Sequence, residues 1–427
     1  MKKHIKLFIV LGIILVGSFS FYLFNGYKKD ALVYENNKIM PSSSGIAMML
    51  ETSAGSGNYE MTTRSEWPTE GYVFNANLSK CESGSELSWD NENKKVLMSG
   101  NKSDKCYVYF DVYVKPQVLL ADYVKSLYTG TQGENGIYYH DASLTNGAGD
   151  NSYRYAGASD AVSNYVCFGS STTPCPADNL YRIIGVFGDK VKLIKSDYAT
   201  TALLGTDGDY KQAYTATGNG SSSYKENNLA NIAAYTWNYK NNTTINGGNG
   251  SNTWSTSLLN KINLNKNFIT NIGADWAAKI ADTTWKVGGN TWANIGTQPA
   301  KTAYQNEIVN PVTTNSQDNA TELKAKIGLM YASDYGFAAA PSAWTANLNT
   351  YNFESIKNVN WMYMGLNEWT NSRYADVAYI VLCVDSIGNV NYGIAKDTYA
   401  VRPVFYLSSS VNYASGSGTA ADPILVN

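Results

Sequence analysis

Histidine is almost missing: the 427 residues contain two, His4 and His140. A histidine-based nucleophile triad therefore has a single candidate base beyond the N-terminus. That residue, His140, sits in a Gly/Asn-rich stretch with no evident partner and reads as a solvated loop residue. Charge is also scarce, at 16% Asp, Glu, Lys and Arg with a formal net charge of -2. No basic stripe is available to neutralise phosphates, which excludes nucleic acid as a partner. No GxSxG elbow, HExxH pair or GxxxxGK[ST] loop occurs, so no catalytic residue and no cofactor is assigned. Asp207 and Asp209 in GTDGDY offer carboxylates to calcium, but the twelve-residue loop with its closing Glu is absent. Asp-Gly pairs form turns, and no metal ligand is assigned.

Against this scarcity stands one long uncharged run. Residues 1–6, MKKHIK, carry Lys2, Lys3 and Lys6, and Leu7 to Phe24 contain no charge. An 18-residue helix is ~27 Å long, close to the ~30 Å hydrocarbon core of a bilayer. Tyr22, Lys28 and Lys29 stand where an interfacial belt is expected. A cleaved signal peptide is the competing reading, but no A-x-A site and no lipid-accepting Cys follows Phe24. The expectation is a single-pass anchor over 7–24 with a cytoplasmic flank at 1–6. Either reading exports the chain, so the large domain is expected outside the cell.

The exported part is rich in uncharged polar residues and in tyrosine, with 33 Tyr and 44% hydrophobic residues overall. That composition suits an extracellular, turn-rich β protein. The five cysteines fit an oxidising compartment. Cys81 with Cys106, and Cys167 with Cys175 across CFGSSTTPC, are expected disulfides, leaving Cys383 over. Closing the first loop removes ~3.5 kcal/mol of unfolded-chain entropy.

The polar PSSSG stretch marks residues 25–50 as a stalk, followed by a small β-rich module over 51–115. Its strands are expected at Tyr72–Asn75, Lys95–Met98 and, most clearly, Tyr107–Tyr113. Residues 116–150 read as a linker carrying a short helix over Val118 to Tyr128. The large domain is expected over 151–427. There, Tyr181–Phe187 and Val191–Ile194 flank Gly188-Asp189-Lys190 as a hairpin. Ser255 is a candidate N-cap for a helix carrying Leu258, Leu259 and Ile262. Ala274 to Ile280 reads as a second short helix, and Ile327–Ser333 as a strand. A second hairpin joins Ala378–Val384 to Asn389–Ile394, and Val401–Leu407 is the last strand. Strands with a few inserted helices define an α+β domain. Glu368 and Arg402, charged residues beside apolar runs, read as a buried pair holding the fold.

The last stretch carries a recognisable pattern. NWMYMGLNEWTNSR, then GNV, then YAVRPVFYL resembles the C-terminal part of C-type-lectin-like domains of the formylglycine-generating-enzyme (sulfatase-modifying factor) type, particularly their bacterial surface relatives. The matching residues are Trp369, Ser372, Arg373, Gly388, Val390, Val401, Arg402 and Pro403, and the terminal DPILV resembles a closing strand. The resemblance implies a C-type-lectin-like head with irregular loops, in which Trp369, Arg402 and Pro403 hold the fold. The oxidase branch of that family binds copper through two cysteines near the C-terminus; here only Cys383 is present. Enzymatic activity is therefore not carried over. Asn371 to Tyr399 also resembles the variable region of proteins diversified by retroelements, in which AAY codons of a binding surface are randomised. Asn371, Tyr374, Asp376, Tyr379, Cys383, Asn391, Tyr392, Asp397 and Tyr399 are compatible with such codons, and Lys396 is not. An ordinary hairpin of core and surface residues accounts for the same stretch equally well.

A physical argument for binding stands beside the resemblance. Tyrosine presents a large amphipathic face with two torsions to freeze, and Asn adapts its hydrogen bonds. The expected ligand-binding residues are Asn371, Tyr374, Asp376, Tyr379, Asn391, Tyr392, Asp397 and Tyr399, on a hairpin and its loops. Alternation along Val390–Ile394 puts Tyr392 on the face of Val390 and Ile394, where it risks being core. The expected function is a membrane-anchored surface protein whose head holds an extracellular protein or glycan. The rival readings are a structural envelope protein and an oxidase relative with a degenerate site.

Overall fold

The computed structural model describes residues 39–41, 43–101, 103–114, 116–214, 224, 232–311, 321–351, 356 and 358–427. The flank at 1–6 and the anchor at 7–24 lie outside the described residues. Among the described residues, no helix is long and apolar enough to cross a membrane. The chain divides into two compact units, Met1–Pro116 and Gln117–Asn427.

The first unit is built on a twisted sheet with strands in the order Tyr59–Thr62, Ile46–Glu51, Cys106–Val112, Tyr72–Phe74. Ile46–Glu51 runs parallel to Cys106–Val112, and its Met48 lies opposite Val108. A separate hairpin pairs Glu86–Asp90 with Lys95–Ser99. Met48, Trp67, Val96, Met98, Val108 and Phe110 form the core between them. Residues 46–50, read from sequence as the end of a stalk, are thus part of this sheet. The run IAMMLE is partly buried along its length, and Met48 supplies a fully buried side chain the small core needs. The Cys81–Cys106 disulfide closes this unit. Asp104 lies against these two sulfurs, but each sulfur is bonded to the other, which leaves no thiolate for a metal.

The second unit is an α+β body with two main sheets. The larger orders its strands Ile327–Gly328, Val404–Tyr406, Lys190–Lys195, Leu180–Phe187, Tyr165–Cys167, Ile424–Val426, Asn412–Ser415, Val118–Leu119. Ser152–Tyr155 and Ile137–His140 branch from Leu180–Phe187. The expected hairpin around Gly188-Asp189 forms, with Phe187 opposite Lys190. Its strands are the β-branched centre of the hydrophobic core, where Ile183, Leu193 and Val404 are fully buried. The C-terminal strand lies parallel to Tyr165–Cys167, beside the second expected disulfide, Cys167–Cys175.

Three expectations change here. Residues 117–150 are not a linker: Val118–Leu119 pairs with Asn412–Tyr413, and the helix Leu120–Ser126 buries Leu120, Ala121 and Val124. An apolar face of that kind needs a larger body to cover it. Ile327–Ser333 is a strand only at Ile327–Gly328, and Ala332–Ala338 is a helix, its entry fixed by Asp334 accepting from the Tyr331 backbone N–H at 2.9 Å. His140 is not solvated. It ends a strand, is fully buried between Phe337 and Trp344, and accepts from the Ala148 N–H at 3.0 Å. Burial holds its pKa well below the usual imidazole value.

Candidate functional site

The C-terminal hairpin and the strand before it belong to the smaller sheet, ordered Gly289–Asn290, Glu368–Tyr374, Ile380–Val384, Val390–Ile394. Leu382 faces Tyr392 and Val384 faces Val390 across the hairpin. Asp385 shapes the turn by accepting from the N–H groups of Ile387 at 3.1 Å and Asn389 at 2.9 Å. Gly388 adopts φ 90° there, a conformation suited to glycine.

Glu368–Tyr374 is buried along its whole length although its letters, EWTNSRY, are mostly polar. Most of these polar side chains serve a neighbouring group, while the Tyr374 hydroxyl has no hydrogen-bond partner among the described residues. Thr370 donates to the Leu382 carbonyl at 2.7 Å, and Asn371 to the Lys286 carbonyl at 3.2 Å. Ser372 accepts from the Ala332 N–H at 3.1 Å, and Arg373 donates to the Val287 carbonyl at 2.6 Å. A strand with neighbours on both edges and packing on both faces must satisfy its polar atoms internally. Trp369 donates to the Tyr235 carbonyl at 2.8 Å and packs against the Tyr399 ring at 4.3 Å. Arg402 grips Glu368 with two hydrogen bonds of 2.7 and 2.8 Å and also reaches the Met362 carbonyl. Pro403 is buried, and its carbonyl accepts from the Lys195 N–H.

The residues expected to bind ligand therefore separate into three groups. Asn371 and Tyr374 are fully buried and present no surface to a ligand, which corrects their sequence reading. Tyr379 and Tyr399 are half-buried against the core. Asp397 is half-buried and caps its own turn, accepting from the Ile394 N–H at 2.8 Å. Asp376, Asn391 and Tyr392 are exposed. Tyr392 points outward although it alternates with Val390 and Ile394, and it keeps 42% of its surface open.

Beside Tyr392 lies a residue that the sequence did not single out, Trp292, the most exposed tryptophan among the described residues at 56%. Gly289 and Asn290 pair in parallel with Arg373 and Tyr374, which delivers the following turn, Trp292–Ile295, to the hairpin. A Cβ on Gly289 would lie 1.5 Å from the Arg373 carbonyl oxygen, so this approach requires glycine. Both carboxylate oxygens of Asp376 accept from the Trp292 N–H at 3.1 Å, fixing where the turn starts. The three rings form one cluster: Trp292 to Tyr392 5.2 Å, Trp292 to Tyr374 6.0 Å, Tyr374 to Tyr392 5.8 Å. Tyr374 is the covered floor; Trp292 and Tyr392 are the open edges. They border a groove of about 370 Å³ that Asn349 and Asn391 also line. Asn349 Oδ1 is buried there without a hydrogen-bond partner among the described residues. The signal available in the sequence was weak: one Trp in GGNTWANIG, a hundred residues before its partner ring.

Two other sites considered from sequence resolve differently. Asp209 is buried, and its carboxylate accepts from Thr236 Oγ1 at 2.9 Å and from the N–H groups of Lys240, Leu258 and Leu259 at 2.9–3.1 Å. It fastens backbone donors of two segments, 239–240 and 258–259, together and has no outward-facing oxygen to offer a cation. Cys383 is buried, and burial raises its thiol pKa well above the usual value. No known protein family, curated protein or solved structure matches the chain.

Proposed function

We propose that this chain is a membrane-anchored surface protein whose C-terminal, C-type-lectin-like head binds an extracellular protein or glycan in the groove between Trp292 and Tyr392, without transforming it. The observation that carries the reading is the pair of exposed rings, 56% and 42% open, held edge to face over a buried third ring at the border of a groove. Two large aromatic faces left in water on a charge-poor head cost solvation that a ligand recovers. Asn391 and Asn349 beside them supply hydrogen-bonding groups for orientation. The rings are pre-positioned by Asp376 and by the sheet, so little side-chain freedom is lost on binding. The resemblance of the last 70 or so residues to lectin-like domains supports the same reading, as does the outward position of Asn391 and Tyr392 within the stretch that resembles a diversified region. The charge-free run at 7–24 supports the anchor.

The test is capture on glycan and surface-protein arrays by the full-length chain, compared with Trp292→Ala and Tyr392→Ala. Both residues are exposed, so both variants keep the fold, and each loses ligand at least ~10-fold, the scale of an aromatic hot spot. Capture unchanged in both variants rejects the groove. Tyr374→Ala and Tyr399→Ala are poorer probes, because both rings pack against the fold.

A further inference from the structure

The strand Lys190–Lys195 buries two lysines in different ways. Lys192 is buried against the Asp334 carboxylate, which accepts its proton donors directly. Lys195 is equally buried, at 1% exposed, yet among the described residues no hydrogen bond or ion pair reaches its Nζ. Its one ring neighbour, Tyr181, is 6.0 Å away. The side chain lines a pocket of about 180 Å³ together with Asp178, Asn179, Thr200, Leu203 and Asn271. No residue of this pocket belongs to the Trp292–Tyr392 groove.

An ammonium carries three donors and no acceptor, and burying it unpaired costs several kcal/mol. A methionine would fill the same length without that cost, so the lysine makes physical sense where an acceptor enters from the pocket. Burial holds the Lys195 pKa below the ordinary lysine value, while the Asp178 and Asp197 carboxylates pull the other way. The walls are fixed. Asn271 gives its amide to the Ala202 and Leu203 carbonyls, both at 3.0 Å, and Asn179 gives its amide to the Phe168 carbonyl at 3.2 Å. Thr200 makes no side-chain bond to the helical turn it precedes, which leaves its hydroxyl available to the pocket.

We infer that this pocket binds a small carboxylate, whose oxygens accept from Lys195 Nζ and the Thr200 hydroxyl while its carbon end rests on Leu203 and Ile272. A monoanion is the matching charge. The pocket offers one buried cation with the exposed Asp178 on its rim, and a phosphate dianion would meet that second carboxylate without a second cation.

The experiment titrates sodium acetate and inorganic phosphate into the purified full-length chain at pH 8, where phosphate is mostly the dianion, read by ligand-detected NMR. The expected result is saturable acetate binding, weaker or no phosphate binding, and acetate affinity at least ~10-fold lower in Lys195→Gln. Asp178→Asn, at the exposed rim, removes a like charge and tightens acetate roughly two- to fivefold. Absence of saturable acetate binding overturns the inference, as does acetate binding that survives Lys195→Gln, or phosphate binding tighter than acetate. Should Lys195→Gln fail to fold, Asp178→Asn decides alone: acetate affinity that is unchanged or lower overturns the inference.

Discussion

Glu307 gives the fold a pH signature that can be measured without knowing any ligand. It sits in the helical turn Gln305–Val309 with no exposed surface. Its Oε2 accepts from the Ser333 N–H at 3.2 Å and the Ser333 hydroxyl at 2.9 Å, while Oε1 has no hydrogen-bond partner among the described residues. Burial pushes its pKa from 4.5 up to about 7, against the opposing pull of hydroxyls from Ser372 and Ser333. The folded chain thus keeps a proton that the unfolded chain releases near 4.5. The stability this group contributes is complete below pH 4.5 and is lost as pH rises to about 7. The size of that loss is roughly 3 kcal/mol, taking about 1.4 kcal/mol per pH unit. Glu307→Gln keeps the shape and removes the titration. Thermal unfolding by circular dichroism, in steps from pH 4.5 to 8.5 at fixed ionic strength, is the assay. The melting temperature of the variant relative to the parent rises by roughly 4–6 °C between pH 4.5 and pH 8. A gap that stays constant with pH, or that moves against the variant as pH rises, refutes the burial argument.

Other perturbations test separate parts of the account. Arg402→Met leaves the buried Glu368 carboxylate without its fork and costs roughly 3–5 kcal/mol, whereas the double variant Arg402→Met/Glu368→Leu recovers most of that loss; urea unfolding of both decides it. Gly393→Ala places a Cβ 2.7 Å from the Tyr399 ring and 2.8 Å from the Trp369 ring, and lowers stability by roughly 1–3 kcal/mol in the same assay. Replacing Cys81 and Cys106 together by Ala costs ~3.5 kcal/mol and is read as early unfolding of the first unit, with the second unit's transition unmoved. Cys383 resists iodoacetamide in the native chain and reacts once the chain is denatured, followed by mass spectrometry.

What could be read from sequence followed from local chemistry. The hairpin over Leu180–Phe187 and Lys190–Lys195 was legible because a β-branched run, a Gly-Asp turn and a second β-branched run all agree. Both disulfides were legible from spacing and composition. Ile327–Ser333 was misread because a mostly apolar run fits a strand or the entry to a helix, and the deciding interaction, Asp334 on the Tyr331 N–H, lies past the run. The burial of Asn371 and Tyr374 was hidden for a different reason. Polar letters suggest surface, but in Glu368–Tyr374 they satisfy backbone atoms of Lys286, Val287, Ala332 and Leu382, and sequence does not show such partners. His140 was hidden likewise, its aromatic neighbours being two hundred residues away. The candidate groove was half legible. Tyr392 and Asn391 were named, whereas Trp292 arrives only through the parallel pairing of Gly289–Asn290 with Arg373–Tyr374.

The claim that the groove holds a ligand is tested most directly at Trp292 itself. The full-length chain is labelled with 5-fluorotryptophan, and the resonance that vanishes in Trp292→Phe is assigned to that ring. Adding a ligand captured by the chain shifts this resonance and leaves that of the fully buried Trp237 in place. A Trp292 resonance that stays fixed at ligand saturation contradicts the account.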